Sequence, residues 1–341
     1  MTLAADAPPL DDRSELRTVS DLVHLAGRLS GMTVVVVGGD RREDLRLVES
    51  ARDHGIVQRV LLIGNADGIA RAVDEVGIDV AQEDILAAPT EEAAAAIAVD
   101  LIRSGAVDVV LKGSIATPVI NRAMLPLARQ RTVSLVTLFD APPIADGRLL
   151  ILTDAGVTTH CTFERMQDLI RNAVEVARTV LCLERPRVAI LSANEKPIAS
   201  LPSTKLAADL TALEWPQAVV YGPLSFDLAT DPGSVAIKGL PHHPRAREVA
   251  GQADVLVCPG LDSANILYKA ISALNKYGLA SLANVTVGFP VPYIILSRAD
   301  TLETRLESIA LGSLLAQRQA VADPPPGTRH AARPQGDTKD A

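Results

Sequence analysis

No run of about 18 apolar residues free of charge occurs anywhere in the chain, and residues 1–13 carry acids and prolines where a secretory leader has a basic segment followed by an apolar one. Neither a membrane span nor a signal peptide is therefore expected, and the cytoplasm is the expected location. Cysteine is scarce. Cys161, Cys182 and Cys258 are odd in number and widely spaced, which argues for reduced thiols and against a disulfide framework or a zinc site, so no metal is expected. A basic excess is missing too: the formal charge is −8, which argues against nucleic acid as the main partner. An anionic substrate would then need a local basic pocket. The third glycine of a dinucleotide-binding turn is also absent, because Gly38-Gly39 leads into Asp40-Arg41-Arg42-Glu43, where two arginines and two acids are out of place.

What is present is apolar and alternating. With 341 residues and 48% hydrophobic composition, the chain exceeds what one core usually organises and can bury two. Residues 1–13 and 322–341 lack apolar periodicity and are expected to be disordered, leaving a folded body from Ser14 to Val321. Within it, continuous apolar strand patterns at 32–37, 60–63, 107–111, 133–139 and 149–152 are separated by helical spacing at 41–54, 90–103 and 118–129. A second series follows, led by a helix over 164–183 and continuing with strands at 188–191, 218–221, 255–257 and 285–287. Strands this uniformly apolar are covered on both faces, which predicts an α/β fold of two domains with mostly parallel sheets and a seam near Thr153. Ligands of such sheets sit at the C-terminal ends of strands.

Five strand ends carry polar groups. Lys112-Gly113, continuing to Thr117 and Arg122, offers cationic donors and a close backbone approach for a phosphate. Thr153-Asp154 ends an apolar strand in a hydroxyl and a carboxylate, read either as a turn or as chemistry. Ser203 and Thr204 open a helix, as caps or as phosphate contacts. Asn265 and Lys269 stand four apart on one helix face. Finally, the run from Tyr293 ends in Ser297-Arg298-Ala299-Asp300 at a helix start, an arrangement suited to an anion. Asp300 with Glu303 also fits an acidic capping box, so the aspartate reads as a cap or as a base.

Taken in order, these segments resemble the phosphate acyltransferases, the family of phosphate acetyltransferase and phosphate butyryltransferase. The resemblance is carried by Lys112-Gly113 with Thr117 and Arg122, by Leu152-Thr153-Asp154-Ala155, Pro202-Ser203-Thr204, Asn265 with Leu267-Tyr268-Lys269, and Ser297-Arg298-Ala299-Asp300. The Leu-Lys-Gly, Leu-Thr-Asp-Ala and Ser-Arg-Ala-Asp forms look closer to the butyryl branch. The resemblance implies two α/β domains of the isocitrate/isopropylmalate dehydrogenase-like superfamily, with an active-site cleft between them. Residues 14–153 and a returning segment 297–321 would form the first domain, and 154–296 the second. It further implies a homodimer and reversible acyl transfer between coenzyme A and orthophosphate by direct attack in a ternary complex. Coenzyme A would be a substrate, with no permanently bound cofactor.

On that resemblance Ser297, Arg298, Asp300 and Arg122 are the expected catalytic residues. Lys112, Gly113, Thr117, Thr153, Asp154, Ser203, Thr204, Asn265 and Lys269 are the expected substrate contacts. A thiol with a pKa of about 8.5 needs a base near neutrality, and Asp300, Asp154 and Glu303 are the candidates. Three departures from the family pattern stand out. Thr304 occupies the position where the acetyl branch has an acid, Ala264 replaces a glycine, and Thr158 to Thr162 replaces a segment with asparagine and proline. These changes motivate an alternative, a non-catalytic member of the fold that binds coenzyme A or an acyl phosphate as sensor or scaffold.

Overall fold

The computed structural model describes residues 16–29, 31–240, 242–297 and 299–322; the expected disorder of 1–13 and 322–341 lies outside them except at Ala322, which ends the last helix. The first part of the chain runs through α1 (Asp21–Arg28), β1 (Met32–Val37), α2 (Arg42–Asp53), β2 (Val57–Gly64), α3 (Ala66–Val76), β3 (Ile85–Ala87), α4 (Glu91–Arg103), β4 (Val109–Lys112) and α5 (Thr117–Met124). Then come β5 (Ser134–Asp140), β6 (Leu150–Thr153), α6 (Phe163–Val180), β7 (Arg187–Leu191), α7 (Pro202–Thr211) and β8 (Val219–Leu224). Three short helices, α8 (Phe226–Thr230), α9 (Pro232–Lys238) and α10 (Pro244–Val249), precede β9 (Val255–Val257) and α11 (Leu261–Asn275). Strands β10 (Ser281–Val287) and β11 (Tyr293–Ile294) lead to the final helix, α12 (Leu302–Ala322).

The elements follow from local sequence. β1 is Met-Thr-Val-Val-Val-Val, buried at every position but Thr33, as a strand covered on both faces requires. Helix α6 starts where the Thr162 hydroxyl accepts from the Arg165 N–H at 3.3 Å, and it buries Met166, Leu169, Ile170, Ala173, Val174, Ala177 and Val180 at helical spacing. Helix α12 is different. Residues 307–315 are buried on every side, because it packs against α1, α2, α6, β10 and β11 at once.

The expectation of two sheets is corrected. The eleven strands of the described residues form one sheet, in the order β3-β2-β1-β4-β11-β10-β5-β6-β9-β7-β8. Most neighbours are parallel, but β11–β10, β10–β5 and β5–β6 are antiparallel, and these middle strands join what would otherwise be separate sheets. Following the pairings across, β3-β2-β1-β4-β11 runs one way and β6-β9-β7-β8 the other. The C-terminal ends of the two parallel sets therefore lie at opposite edges of the sheet. Lys112 and Ser297 belong to one edge, while Thr153 and the loops after β7 and β9 belong to the other.

One feature of α12 makes a stability prediction. Glu307 is 1% exposed; the Ser20 hydroxyl donates to its Oε1 at 2.9 Å, and among the described residues its Oε2 has no hydrogen-bond partner. Burial pushes this carboxyl up from an ordinary 4.5 to about 7, with the Ser20 bond pulling back. Because the folded-state value is raised, the stability it contributes is full below about 4.5 and is lost as pH rises through 7. Glu307→Gln is expected to match the parent in urea unfolding at about pH 4. At pH 8 it should be more stable by something on the order of 3 kcal/mol. Equal stability at pH 8 would contradict the assignment.

Candidate active site

A cavity of about 450 Å³ opens at the C-terminal edge of three adjacent strands. Lys112 and Gly113 reach it from the end of β4, Leu296 and Ser297 from the chain beyond β11, and Arg41, Glu43 and Asp44 from the β1–α2 connection and the start of α2. Arg305 enters from the second turn of α12. Three cations face two acids there, so a chain of net charge −8 does carry a local basic recess.

Gly113 is explained by the backbone. Its N–H donates to Val37 O at 2.9 Å, and a Cβ at this position would stand 2.2 Å from Gly38 O. The glycine thus lets the ends of β1 and β4 meet, which sets Lys112 beside the cavity.

Beyond β11 the chain turns tightly. Ser297 N–H donates to Asp300 Oδ2 at 2.9 Å, Asp300 N–H returns to Ser297 O at 3.1 Å, and Ala299 N–H donates to the Ser297 hydroxyl at 3.2 Å. Helix α12 begins one residue later than the capping-box reading requires. Its cap is Thr301, whose hydroxyl accepts from the Thr304 N–H at 3.1 Å. Asp300 is therefore no cap, and the reason is geometric: its carboxylate is turned back to the Ser297 amide. Glu303 is exposed in the first turn of α12, and Arg298 lies outside the described residues.

A buried polar relay stands behind Asp300. Thr137 on β5 donates to Asn284 Oδ1 at 2.7 Å, Asn284 Nδ2 donates to the Tyr268 hydroxyl at 3.2 Å, and that hydroxyl donates to Asp300 Oδ1 at 3.4 Å. Burial holds the Asp300 carboxyl above the usual carboxylate range, opposed by the Ser297 amide, Lys269, Tyr268 and Arg305. Lys269 is exposed on α11 with Nζ 5.0 Å from the Tyr268 ring centroid. One turn earlier, Asn265 donates to Ala155 O at 2.9 Å, tying α11 to the turn after β6.

That turn is organised by Asp154. Its Oδ1 accepts from the N–H groups of Leu135, Gly156 and Val157 at 3.1, 3.0 and 3.2 Å, and its Oδ2 from Thr158 at 2.8 Å. Burial raises this carboxyl and the four amides lower it again. A carboxylate has about four acceptor sites, two on each oxygen, so Asp154 Oδ1 is filled and its Oδ2 keeps about one, in a side chain buried under its own turn, whereas Asp300 keeps about two. Thr153 is fully buried, its hydroxyl 3.5 Å from Leu135 O.

Other expected site residues fall elsewhere. Thr117 and Arg122 are exposed on α5 and do not line the cavity. Thr204 is buried and does not cap α7; its hydroxyl donates to Leu201 O at 2.7 Å and accepts from Ile198 N–H at 2.8 Å. Ser203, half-buried, pairs with the Ser192 hydroxyl at 2.9 Å and makes no cap either. Thr159 to Thr162 line a separate open depression with Pro259 to Ser263. Ala264 is fully buried, so its added methyl packs inside the protein. Thr304 is buried 3.1 Å from the Thr301 hydroxyl, offering no acid at that position.

Arg41, Asp44 and Arg305 were not on the expected list. The signal for Arg41 is the pair of arginines and acids that makes the segment after Gly38-Gly39 a poor dinucleotide turn; Asp44 and Arg305 carried none. Among the described residues no group of three or more histidine, cysteine or acidic side chains is placed to hold a metal ion, and no helix is long and apolar enough to cross a membrane.

The family described as phosphate acetyl/butaryl transferase matches residues 80–313, more than half of the chain. The chain belongs to that family. It is 35% identical over 280 residues to a phosphate acetyltransferase of Rhizobium meliloti, covering 80% of this chain and 85% of that protein. It is 32% identical, again over 280 residues, to a phosphate butyryltransferase of Clostridium acetobutylicum, covering 80% and 89%. Among solved structures, a branched-chain phosphotransacylase from Enterococcus faecalis V583 superposes with a TM-score of 0.70 at 30% identity, covering 84% of this chain and 99% of the other. For this family member, the Lys112–Ser297 cavity and the Asp300 relay are the places to look for chemistry.

Proposed function

We propose that this chain is a phosphate acyltransferase that moves a short acyl group reversibly between coenzyme A and orthophosphate, by direct attack in a ternary complex. The carrying observation is that Lys112 and Ser297, from strand ends far apart in sequence, line one basic cavity in a chain of this family. In the direction of acyl-CoA synthesis, Asp300 takes the thiol proton and the sulfur attacks the acyl carbon. The C–S bond forms first, giving a tetrahedral intermediate; its collapse breaks the C–O bond to phosphate, and orthophosphate leaves with the electron pair. The raised Asp300 carboxyl suits proton transfer better than an ordinary aspartate. Ser297 hydrogen-bonds the tetrahedral intermediate, and Arg298 and Lys112 stabilise the charge gathering on the carbonyl oxygen and the phosphate.

The remaining residues divide by what their polar groups already do. Thr117, Arg122 and Lys269 are left the substrate-contact or catalytic roles expected of them, from outside the Lys112–Ser297 cavity, while the Ser203 hydroxyl is already paired with Ser192. Gly113, Thr153, Asp154, Thr204 and Asn265 are engaged by the fold and are reassigned to positioning.

The same reading takes the chain as a cytoplasmic homodimer with the active site in a cleft between two domains, 14–153 with 297–321 and 154–296, of the isocitrate/isopropylmalate dehydrogenase-like superfamily. The reversal of strand direction at β10, β5 and β6 and the packing of α12 on β4, α1 and α2 support the division. The butyryl-type strand ends and the branched-chain structural relative favour acyl groups longer than acetyl. Initial rates at varied phosphate and acyl-CoA test the mechanism: intersecting reciprocal plots are expected, and parallel plots with a trapped acyl-enzyme would overturn direct attack.

A further inference from the structure

We propose that Arg41 and Arg305 form a phosphate-group subsite of the cavity, with Asp44 as the residue that positions both guanidinium groups; this rests on the acyl-transfer reading above. Asp44 is 1% exposed, on the inner side of α2. Its Oδ1 meets Arg305 Nη2 at 2.5 Å, and its Oδ2 stands 3.7 Å from Arg41 Nη1. Neither that Oδ2 nor Arg305 Nε has a hydrogen-bond partner among the described residues. Burial raises the Asp44 carboxyl, and the charges of Arg41 and Arg305 oppose that rise.

A buried carboxylate is tolerated only with partners, and here one partner is a turn away at the start of α2 while the other, Arg305, lies 261 residues on in the sequence. The consequence is that one carboxylate holds two guanidinium groups at the wall shared with Lys112 and Ser297. Planar guanidinium forks match phosphate oxygens two at a time, and a third cation, Lys112, lines the same recess. The ligand chemistry is an anionic phosphate group. It arrives either as the reacting orthophosphate or acyl phosphate, or as a phosphate of coenzyme A.

Kinetics of Arg41→Gln and Asp44→Asn separate these sources. Michaelis constants are measured for orthophosphate, for butyryl-CoA and for butyryl-dephospho-CoA. Arg41→Gln is expected to raise one phosphate-bearing substrate's KM about tenfold with a much smaller change in kcat. A rise for orthophosphate assigns the subsite to the reacting phosphate. A rise for butyryl-CoA that is absent with the dephospho analogue assigns it to the 3′-phosphate; a rise shared by the two CoA thioesters assigns it to their pyrophosphate. Asp44→Asn should move the same KM in the same direction, because the guanidinium groups lose their orientation.

Unchanged constants, a parallel loss for phosphate and thioester together, or tighter binding in Asp44→Asn would overturn the proposal. Should Asp44→Asn not fold, Arg41→Gln, at a side chain 30% exposed, carries the test. If the unsubstituted chain shows no turnover, the acyl-transfer reading fails separately. The subsite is then tested by calorimetry with orthophosphate and with coenzyme A: binding weakened about tenfold in Arg41→Gln supports it, and equal or undetectable binding in both proteins overturns it.

Discussion

Arg298→Ala is expected to lower turnover by about 10²–10³-fold while leaving thermal unfolding unchanged. The reaction spreads negative charge over a carbonyl oxygen and a departing phosphate, and a guanidinium can meet two such oxygens in parallel. Arg298 follows Ser297, which lines the basic cavity. A contact made chiefly in the transition state lowers kcat and kcat/KM together. Arg298→Lys keeps the charge but not the fork, so it should recover only part of the loss. Turnover at the parental rate in Arg298→Ala would remove this arginine from the site.

Asp300→Asn carries the second large effect. The substitution keeps the side chain's shape and one acceptor oxygen, so the turn around Ser297 should persist, yet it removes a half-buried base beside Ser297 that has acceptor sites left. Turnover should fall by about 10²–10⁴-fold. The pH profile distinguishes a base from a structural staple. As a base Asp300 must be ionised, and because burial raises its carboxyl, activity should rise with pH along an acid limb placed above the ordinary aspartate value. In Asp300→Asn that limb should vanish from the residual rate. A variant that keeps the limb, with altered stability alone, would assign Asp300 to the fold.

Much of this was legible in the chain itself. β1 and α6 lie where periodicity places them, because an apolar run and a helical stripe are local properties. Lys112 and Ser297 were legible as polar groups at strand ends, and the cavity unites them. Strand direction was not. An apolar strand looks the same in either orientation, and the reversal at β10 and β5 depends on partners far away, Asn284 opposite Thr137 among them. Helix α3 and the short helices α8 to α10 went unread because they are brief and interrupted by polar residues, proline and glycine. The role of Asp154 was invisible for another reason. Four amides converge on it only after the turn has closed. Thr301 took the cap from its neighbour Asp300 because the carboxylate had a nearer partner in the Ser297 amide.

Phosphate-dependent release of free coenzyme A from a series of C2 to C8 acyl-CoAs tests the central claim most directly. Release is expected for at least one chain length, dependent on added phosphate, with an acyl phosphate appearing in equal amount. Measurable binding of coenzyme A without release at any chain length would contradict it and leave the chain a non-catalytic binder on the same fold.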